Sequence, residues 1–150
     1  MSETRLLQSA NVPGVTQAKY IEFRVDHSEL SGTSAQFVRP GIAFPSGSVI
    51  GPVSWKVEQF DGPVNMILTA SVGDVSSAQN LILNTLVADT STPVTGTWTK
   101  GAGTGSLGFG THVTGADFGV TFTRGANLNN LFDLTAGGIT VRIPFWNENY

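Results

Sequence analysis

Chemically reactive side chains are few in this chain and are scattered along it. The chain contains two histidines, His27 and His112, and it has no cysteine. Asp26 precedes His27, but neighbouring residues of a strand point to opposite faces of a sheet. No acidic residue recurs near His112 at the spacing of metal ligands. We therefore predict neither a metal site nor a cofactor.

The carboxylates give no catalytic pattern either. Most of them stand beside Gly, Ser or Thr, where carboxylates commonly cap turns. These residues are Asp26, Glu29, Asp61, Asp74, Asp89, Asp117 and Asp133. Two of them could form a glycosidase pair if folding placed them ~5–9 Å apart. The G-x-S-x-G segment that marks serine hydrolases is absent. The chain is therefore not predicted to be an enzyme.

One glycine-rich segment formally matches a nucleotide-binding motif. Gly103-Thr-Gly-Ser-Leu-Gly108 has the form G-x-G-x-x-G, which binds a pyrophosphate when a strand precedes it and a helix follows it. Here the chain continues as Phe109-Gly-Thr-His-Val-Thr, which is typical of a strand, and glycine also occupies positions 101 and 110. The segment predicts a flexible loop, with no nucleotide site.

Charged residues are scarce and unevenly distributed. They make up 13% of the 150 residues, against roughly 25% in an ordinary soluble domain. Residues 1–61 contain 11 of the 19 charged side chains, and residues 62–150 contain the other 8. The net charge of -3 offers no basic stripe for nucleic acid, and no apolar run reaches the ~18 residues of a membrane span. We predict one domain, with neither nucleic acid nor a membrane as its partner.

The composition and the alternation of apolar residues predict short strands. Thr (17 residues) and Val (15 residues) are abundant, together with Gly and Ser, and this mixture favours pleated strands joined by tight turns. Strands are predicted at residues 20–25, 53–60, 64–72, 94–99, 107–113, 118–124 and 139–146. For residues 74–88 we favour a turn or short helix followed by a strand, although a strand over 81–87 is equally compatible with the pattern. The fold class is predicted as all-β, a single antiparallel β-sandwich that is jelly-roll-like and has an N-terminal arm.

Two local signals predict how the strands connect. Asp61-Gly62 is typical of a type I′ turn and predicts that 53–60 and 64–72 pair as a hairpin. Pro144 cannot donate a backbone hydrogen bond, so the last strand is predicted to lie on a sheet edge or to end there.

The two ends of the chain contain the candidate interface residues. Residues 1–15 are interpreted as an N-terminal arm or edge segment and residues 16–150 as the sandwich domain. The arm is either a frayed terminus or a segment laid over a neighbouring subunit through Leu6, Leu7 and Val12. At the other end, Trp146 and Tyr150 are candidate interface anchors, because Trp and Tyr are enriched at interface hot spots.

Four segments resemble small virion structural proteins of tailed bacteriophages. They are Pro45-Ser-Gly-Ser-Val-Ile-Gly-Pro-Val53, Val57-Glu-Gln-Phe-Asp-Gly62, Leu68-Thr-Ala-Ser-Val-Gly-Asp74 and Leu134-Thr-Ala-Gly-Gly-Ile-Thr-Val141. The resemblance spans roughly residues 45 to 145. Its motifs are structural, and no catalytic residue comes with them. It implies a compact β-fold, synthesis in the host cytoplasm and a place on the virion.

The resemblance and the neutral composition lead to two functional hypotheses. The first is a capsid decoration or cement protein that bridges capsomers, with the major capsid protein and copies of itself as partners, as a trimer or other small homo-oligomer. The alternative is a tail or head-fibre module that binds host-surface glycan, with Trp98 stacking on a sugar. Trp98 could equally be a core residue between exposed Thr97 and Thr99. A small depolymerase has no supporting group of residues.

Overall fold

The computed structural model describes residues 3–8, 19–39, 44, 47–74, 82–89, 99–100, 112–113, 118–125 and 129–147. Short 3₁₀ turns occur at His27–Glu29 and Leu131–Asp133. The strands, in chain order, are β1 (Glu3–Gln8), β2 (Lys19–Asp26), β3 (Ala35–Val38), β4 (Ser48–Ile50), β5 (Ser54–Asp61), β6 (Ile67–Asp74), β7 (Ile82–Asp89), β8 (Thr99–Lys100), β9 (His112–Val113), β10 (Phe118–Arg124) and β11 (Ala136–Trp146).

The strands form two antiparallel sheets. In the first, which we name the β11 sheet, the order is β1-β2-β11, and the far side of β11 pairs in succession with β5 and β4. β5 pairs in turn with β8, and β4 pairs with β9. The second sheet, the β10 sheet, has the order β3-β10-β6-β7. The prediction of an all-β antiparallel sandwich is confirmed.

The chain passes repeatedly from one sheet to the other. Consecutive strands lie in different sheets at six points, which are β2 to β3, β3 to β4, β5 to β6, β7 to β8, β9 to β10 and β10 to β11. The two sheets are therefore built from strands that alternate along the chain, and the jelly-roll-like arrangement stays a prediction. Among the described residues, no helix has the length and apolar character needed to span a bilayer.

The inner faces of the two sheets share one hydrophobic core. In β2, Ile21, Phe23 and Val25 are buried and the residues between them are partly exposed, as the sequence alternation predicts. Phe60 on β5 and Phe122 on β10 meet edge to face, with ring centroids 6.1 Å apart, a geometry that aromatic pairs favour. Because β5 and β10 belong to different sheets, this contact joins the two layers.

The connection after β5 contradicts the predicted hairpin. β5 pairs with β11 and β8, whereas β6 pairs with β10 and β7, so the two strands lie in different sheets. Gly62 does not have a positive φ, and the residue of this loop that does is Asn65, at 61°. The Asp61 carboxylate instead accepts a hydrogen bond from the Gly62 N–H, at 3.0 Å. Asp61-Gly62 therefore begins a crossover between sheets.

The prediction that Pro144 marks an edge is also wrong. β11 is a central strand, with β2 on one side and β4 and β5 on the other. The Pro144 carbonyl accepts a hydrogen bond from the Gly51 N–H, at 2.8 Å. Since the N and C=O of one strand residue face the same side, the proline nitrogen faces the break between β4 and β5. A missing donor is tolerated there because no continuous strand needs it.

Other predictions fall partly outside the described residues. Residues 3–8 of the predicted arm form β1, with Leu6 opposite Ile21 and Leu7 opposite Tyr20. The boundary at residues 15 and 16 lies outside the described residues and stays a prediction. Of the predicted strands 94–99 and 107–113, only the ends that contribute to β8 and β9 are described. The second half of 74–88 forms β7, as expected.

Candidate interaction surfaces

The outer face of the β11 sheet is charged. We name it the charged face; its described residues are Tyr20, Glu22, Arg24, Asp26, Lys56, Glu58, Thr140 and Arg142. Three carboxylates and three cations alternate across it. Arg142 Nη2 and Nε donate to Glu22 Oε2 at 2.7 and 3.0 Å, and Arg24 Nε donates to Glu58 Oε2 at 2.6 Å. Its ion pairs are partly exposed, so this surface is suited to contact with water.

Asp26 links the charged face to the 3₁₀ turn that follows β2. Its carboxylate accepts hydrogen bonds from the N–H and the hydroxyl of Ser28 at 3.0 and 2.7 Å, and from Arg24 Nη1 at 2.9 Å. Burial by itself would raise the pKa of this carboxyl. The bonds from Ser28 and Arg24 and the charge of His27 outweigh that effect and hold the pKa of Asp26 well below its usual range.

The outer face of the β10 sheet has a different chemistry. Asp89 lies at one end of it, opposite Ile67. We name this face the neutral face; its residues whose side chains the structure describes are Ala35, Phe37, Arg39, Ile67, Thr69, Ser71, Gly73, Leu86, Gly119, Thr121 and Thr123. Hydroxyl, glycine and apolar positions make up this set apart from Arg39, at the end of the edge strand β3. The Arg39 guanidinium carbon lies 5.8 Å from the centre of the Phe37 ring.

Close packing shapes the centre of the neutral face. Gly119 on β10 lies opposite Gly73 on β6, and a Cβ on Gly119 would overlap the Val38 carbonyl oxygen and lie 2.9 Å from Phe37 Cζ. The Phe37 ring thus covers Gly119. Within the described part of the chain, the buried Thr121 hydroxyl has no hydrogen-bond partner. The face therefore combines apolar contact area with hydroxyls.

A third surface lies at the end of the sandwich where β5, β10 and β11 meet their loops. Val64 is 81% exposed and Phe132 is 52% exposed. Their loops are in contact, because the Thr135 N–H donates to the Asp61 carbonyl at 2.8 Å, and a Cβ added to Gly62 would lie 3.4 Å from the Asp133 carbonyl oxygen. We name this surface, formed by Asp61, Val64, Phe132 and Asp133, the loop-end patch.

The structure describes the position of three of the five predicted interface residues, so the predicted interface stays a prediction. Trp146 ends β11, is 38% exposed and covers Gly51, whose Cβ would lie 2.7 Å from its ring. Leu6 and Leu7 lie in β1, an edge strand of the β11 sheet as described that is separated from β11 by β2. Val12, Tyr150 and Trp98 lie outside the described residues, so the glycan hypothesis stays a prediction. Among the described residues, no three His, Asp or Glu side chains are grouped to hold a metal.

Of the two surfaces that the sequence did not predict, one had a partial signal. The alternation of Thr121 and Thr123 with buried residues indicates an outward hydroxyl row, but the pairing of β10 with β3 and β6 is needed to make it a face. Val64 and Phe132 had no signal, because their exposure follows from the path of two loops.

Comparison with known proteins gives a structural neighbour and no family. No family model and no curated protein matches the chain. A solved structure described as the capsid asymmetric unit of cyanophage Pam1 contains a chain that matches with a TM-score of 0.58 and 20% sequence identity, over 91% of each chain. This likeness shows a shared fold.

Proposed function

We propose that this chain is a virion structural protein of a bacteriophage, and specifically a capsid decoration or cement protein. The observation that carries the proposal is the separation of charge between the two outer faces of the sandwich. Three carboxylates and three cations lie on the charged face, whereas Arg39 is the single charge on the neutral face among the residues whose side chains the structure describes, and Asp89 lies opposite Ile67 at the end of β7.

This separation is what a protein with one covered side requires. Burying an unpaired charge in an interface is costly, and the centres of interfaces are depleted of charged residues. Hydroxyls and backbone groups can find hydrogen-bond partners in a covering protein. In this proposal the neutral face contacts the shell and the charged face is in water.

The structural neighbour supports the choice of a capsid. The neighbour is a chain of a cyanophage capsid asymmetric unit, and the four segments that resemble phage virion proteins lead to the same class. The proposed partners are the major capsid protein and other copies of this chain, as a trimer or other small homo-oligomer. The protein is made in the host cytoplasm, resides on the capsid surface and acts without catalysis by bridging capsomers.

A matched pair of charge substitutions tests the proposed orientation. Thr123 and Thr140 are both half-buried threonines in central strands, on the neutral and charged faces respectively. Thr123→Glu places a charge between Ala35 and Thr69, whereas Thr140→Glu places one between Arg24 and Lys56. An unpaired charge buried in an interface costs about 3 kcal/mol, so Thr123→Glu should weaken binding to shells that lack the protein by roughly 100-fold.

Thr140→Glu is the control for this test. Thr140→Glu should bind shells as the wild type does, and wild-type protein should raise the temperature at which the shells open. Equal loss of binding in both variants would contradict the proposed orientation. The cement role itself is wrong if purified particles contain far fewer copies of this chain than of the major capsid protein, or if shells without it are equally stable to heat.

A further inference from the structure

The loop-end patch combines exposed apolar side chains with backbone that is held in place. Val64 and Asn65 are the central residues of a turn closed by the Met66 N–H and the Pro63 carbonyl at 3.3 Å. The positive φ of Asn65 makes it a type II turn, which favours Gly or Asn at that position. Met66 is fully buried and anchors the turn in the core, so Val64 projects from a fixed support.

The second apolar side chain is fixed in a similar way. Phe132 lies between Leu131 and Leu134, both of which are buried. The Asn130 N–H donates to Asp133 Oδ2 at 2.9 Å, and the Leu134 N–H donates to the Leu131 carbonyl at 3.3 Å. Single exposed apolar residues are ordinary on protein surfaces. Two on contacting, hydrogen-bonded loops form a preorganised contact, for which association costs less conformational entropy.

The charges around these side chains indicate the chemistry of the partner. Asp61 and Asp133 flank the patch, and their oxygens accept hydrogen bonds from the backbone N–H groups of Gly62 and Asn130. Among the described residues, neither carboxylate has a cation partner. A surface that covers the patch must therefore supply positive charge at its rim as well as an apolar centre.

We propose that the loop-end patch docks into an apolar pocket on the capsid shell that is flanked by Lys or Arg side chains. This inference rests on the proposed function and adds a second contact to the one made by the neutral face. Val64 and Phe132 are its apolar centre, and Asp61 and Asp133 are its charged rim.

The test measures binding of the full chain to shells that lack it, at low and high salt. Val64→Ser should weaken binding at least about tenfold, because a buried Val side chain contributes that much to association, while Val64→Ile should bind as the wild type does. Asp61→Asn should weaken binding about threefold at low salt and have little effect at high salt, because rim charges act through screened electrostatics. Glu58→Gln, a carboxylate removed from the charged face of the same strand, should leave binding unchanged.

The outcomes separate this inference from the proposed function. If wild-type protein and Val64→Ser bind shells equally well, the patch is not a contact, and the proposed function stands. If Thr123→Glu and Val64→Ser both lose binding with unchanged melting temperatures, both contacts are supported. If Val64→Ser changes the oligomeric state in solution and not shell binding, the patch contacts a second copy and the inference is wrong. If wild-type protein does not bind shells, both proposals are wrong.

Discussion

Replacing Gly119 with alanine tests the packing on which the neutral face depends. A glycine inside a strand ordinarily weakens it, so an unstrained Gly→Ala change would stabilise the protein by about 0.5–1 kcal/mol. Here the new Cβ would overlap the Val38 carbonyl oxygen and lie 2.9 Å from Phe37 Cζ. Both atoms belong to the β3 segment, so relief requires β3 to move away from β10.

The size of the effect follows from these two contacts. Overpacking costs typically 1–3 kcal/mol, and a contact with paired backbone belongs at the upper end because a carbonyl cannot rotate away as a side chain can. After subtraction of the ordinary gain, we expect Gly119→Ala to lose about 2 kcal/mol of unfolding free energy. For a chain of this size that loss lowers the Tm by roughly 4–8 °C.

Thermal unfolding followed by circular dichroism measures the loss, and amide hydrogen exchange locates it. Exchange should accelerate in β3, whose described pairing is with β10 alone, before it accelerates in β6. Gly62→Ala is the matched control, because its Cβ would meet its nearest atoms at an ordinary 3.4 Å, and its Tm should stay within the range of a neutral surface change. A Tm for Gly119→Ala equal to or above that of Gly62→Ala would refute the argument.

Substitutions at Asp26, Phe122 and Asn65 test other parts of the structure. Asp26→Asn should cost about 1 kcal/mol at pH 7, because the amide can still cap the turn but lacks the charge that strengthens the bonds from Arg24 and Ser28. The folded chain lowers the pKa of Asp26, so the stabilising effect of this charge is present above the unfolded pKa of about 3.9 and is lost as the pH falls through the folded pKa. Wild type and variant should therefore converge in acid. Phe122→Ala should cost about 4 kcal/mol, because the ring is fully buried against Phe60, whereas exposed Phe132→Ala should change the Tm little. Asn65→Gly should leave the Tm unchanged or raise it, and Asn65→Val should lower it by several degrees because a β-branched residue resists positive φ.

The fold class could be predicted from the sequence because strand alternation is a local property. Ile21, Phe23 and Val25 are buried in β2 as their spacing predicts, and β10 and β11 occur where alternation places them. The pairing of strands could not be predicted in the same way. Asp61-Gly62 has the composition of a hairpin turn, yet β5 and β6 enter different sheets because each finds its partners in strands distant in sequence.

The candidate surfaces were harder to predict from the sequence than the fold class, for the same reason. A face is made of residues from several strands, so Thr123 becomes part of the neutral face only through its neighbours Ala35 and Thr69. The aromatic residues near the C-terminus were prominent in the sequence, but Trp146 is partly used in covering Gly51. Residue type alone does not distinguish such local packing from a contact with another protein.

Topology converts an uneven distribution of charge along the chain into a difference between faces. The strands that precede residue 62 are β1 to β5, and all except the short β3 belong to the β11 sheet. β6, β7 and β10, which follow that point, belong to the β10 sheet. The excess of charge in residues 1–61 therefore collects on one outer face, and the exception, β3, presents uncharged Ala35 and Phe37 before Arg39. Had β6 paired with β5 as a hairpin, charged and hydroxyl rows would lie side by side in one sheet, and neither outer face would be as poor in charge as the neutral face is. The crossover after Asp61 is thus the structural step on which a neutral contact face depends.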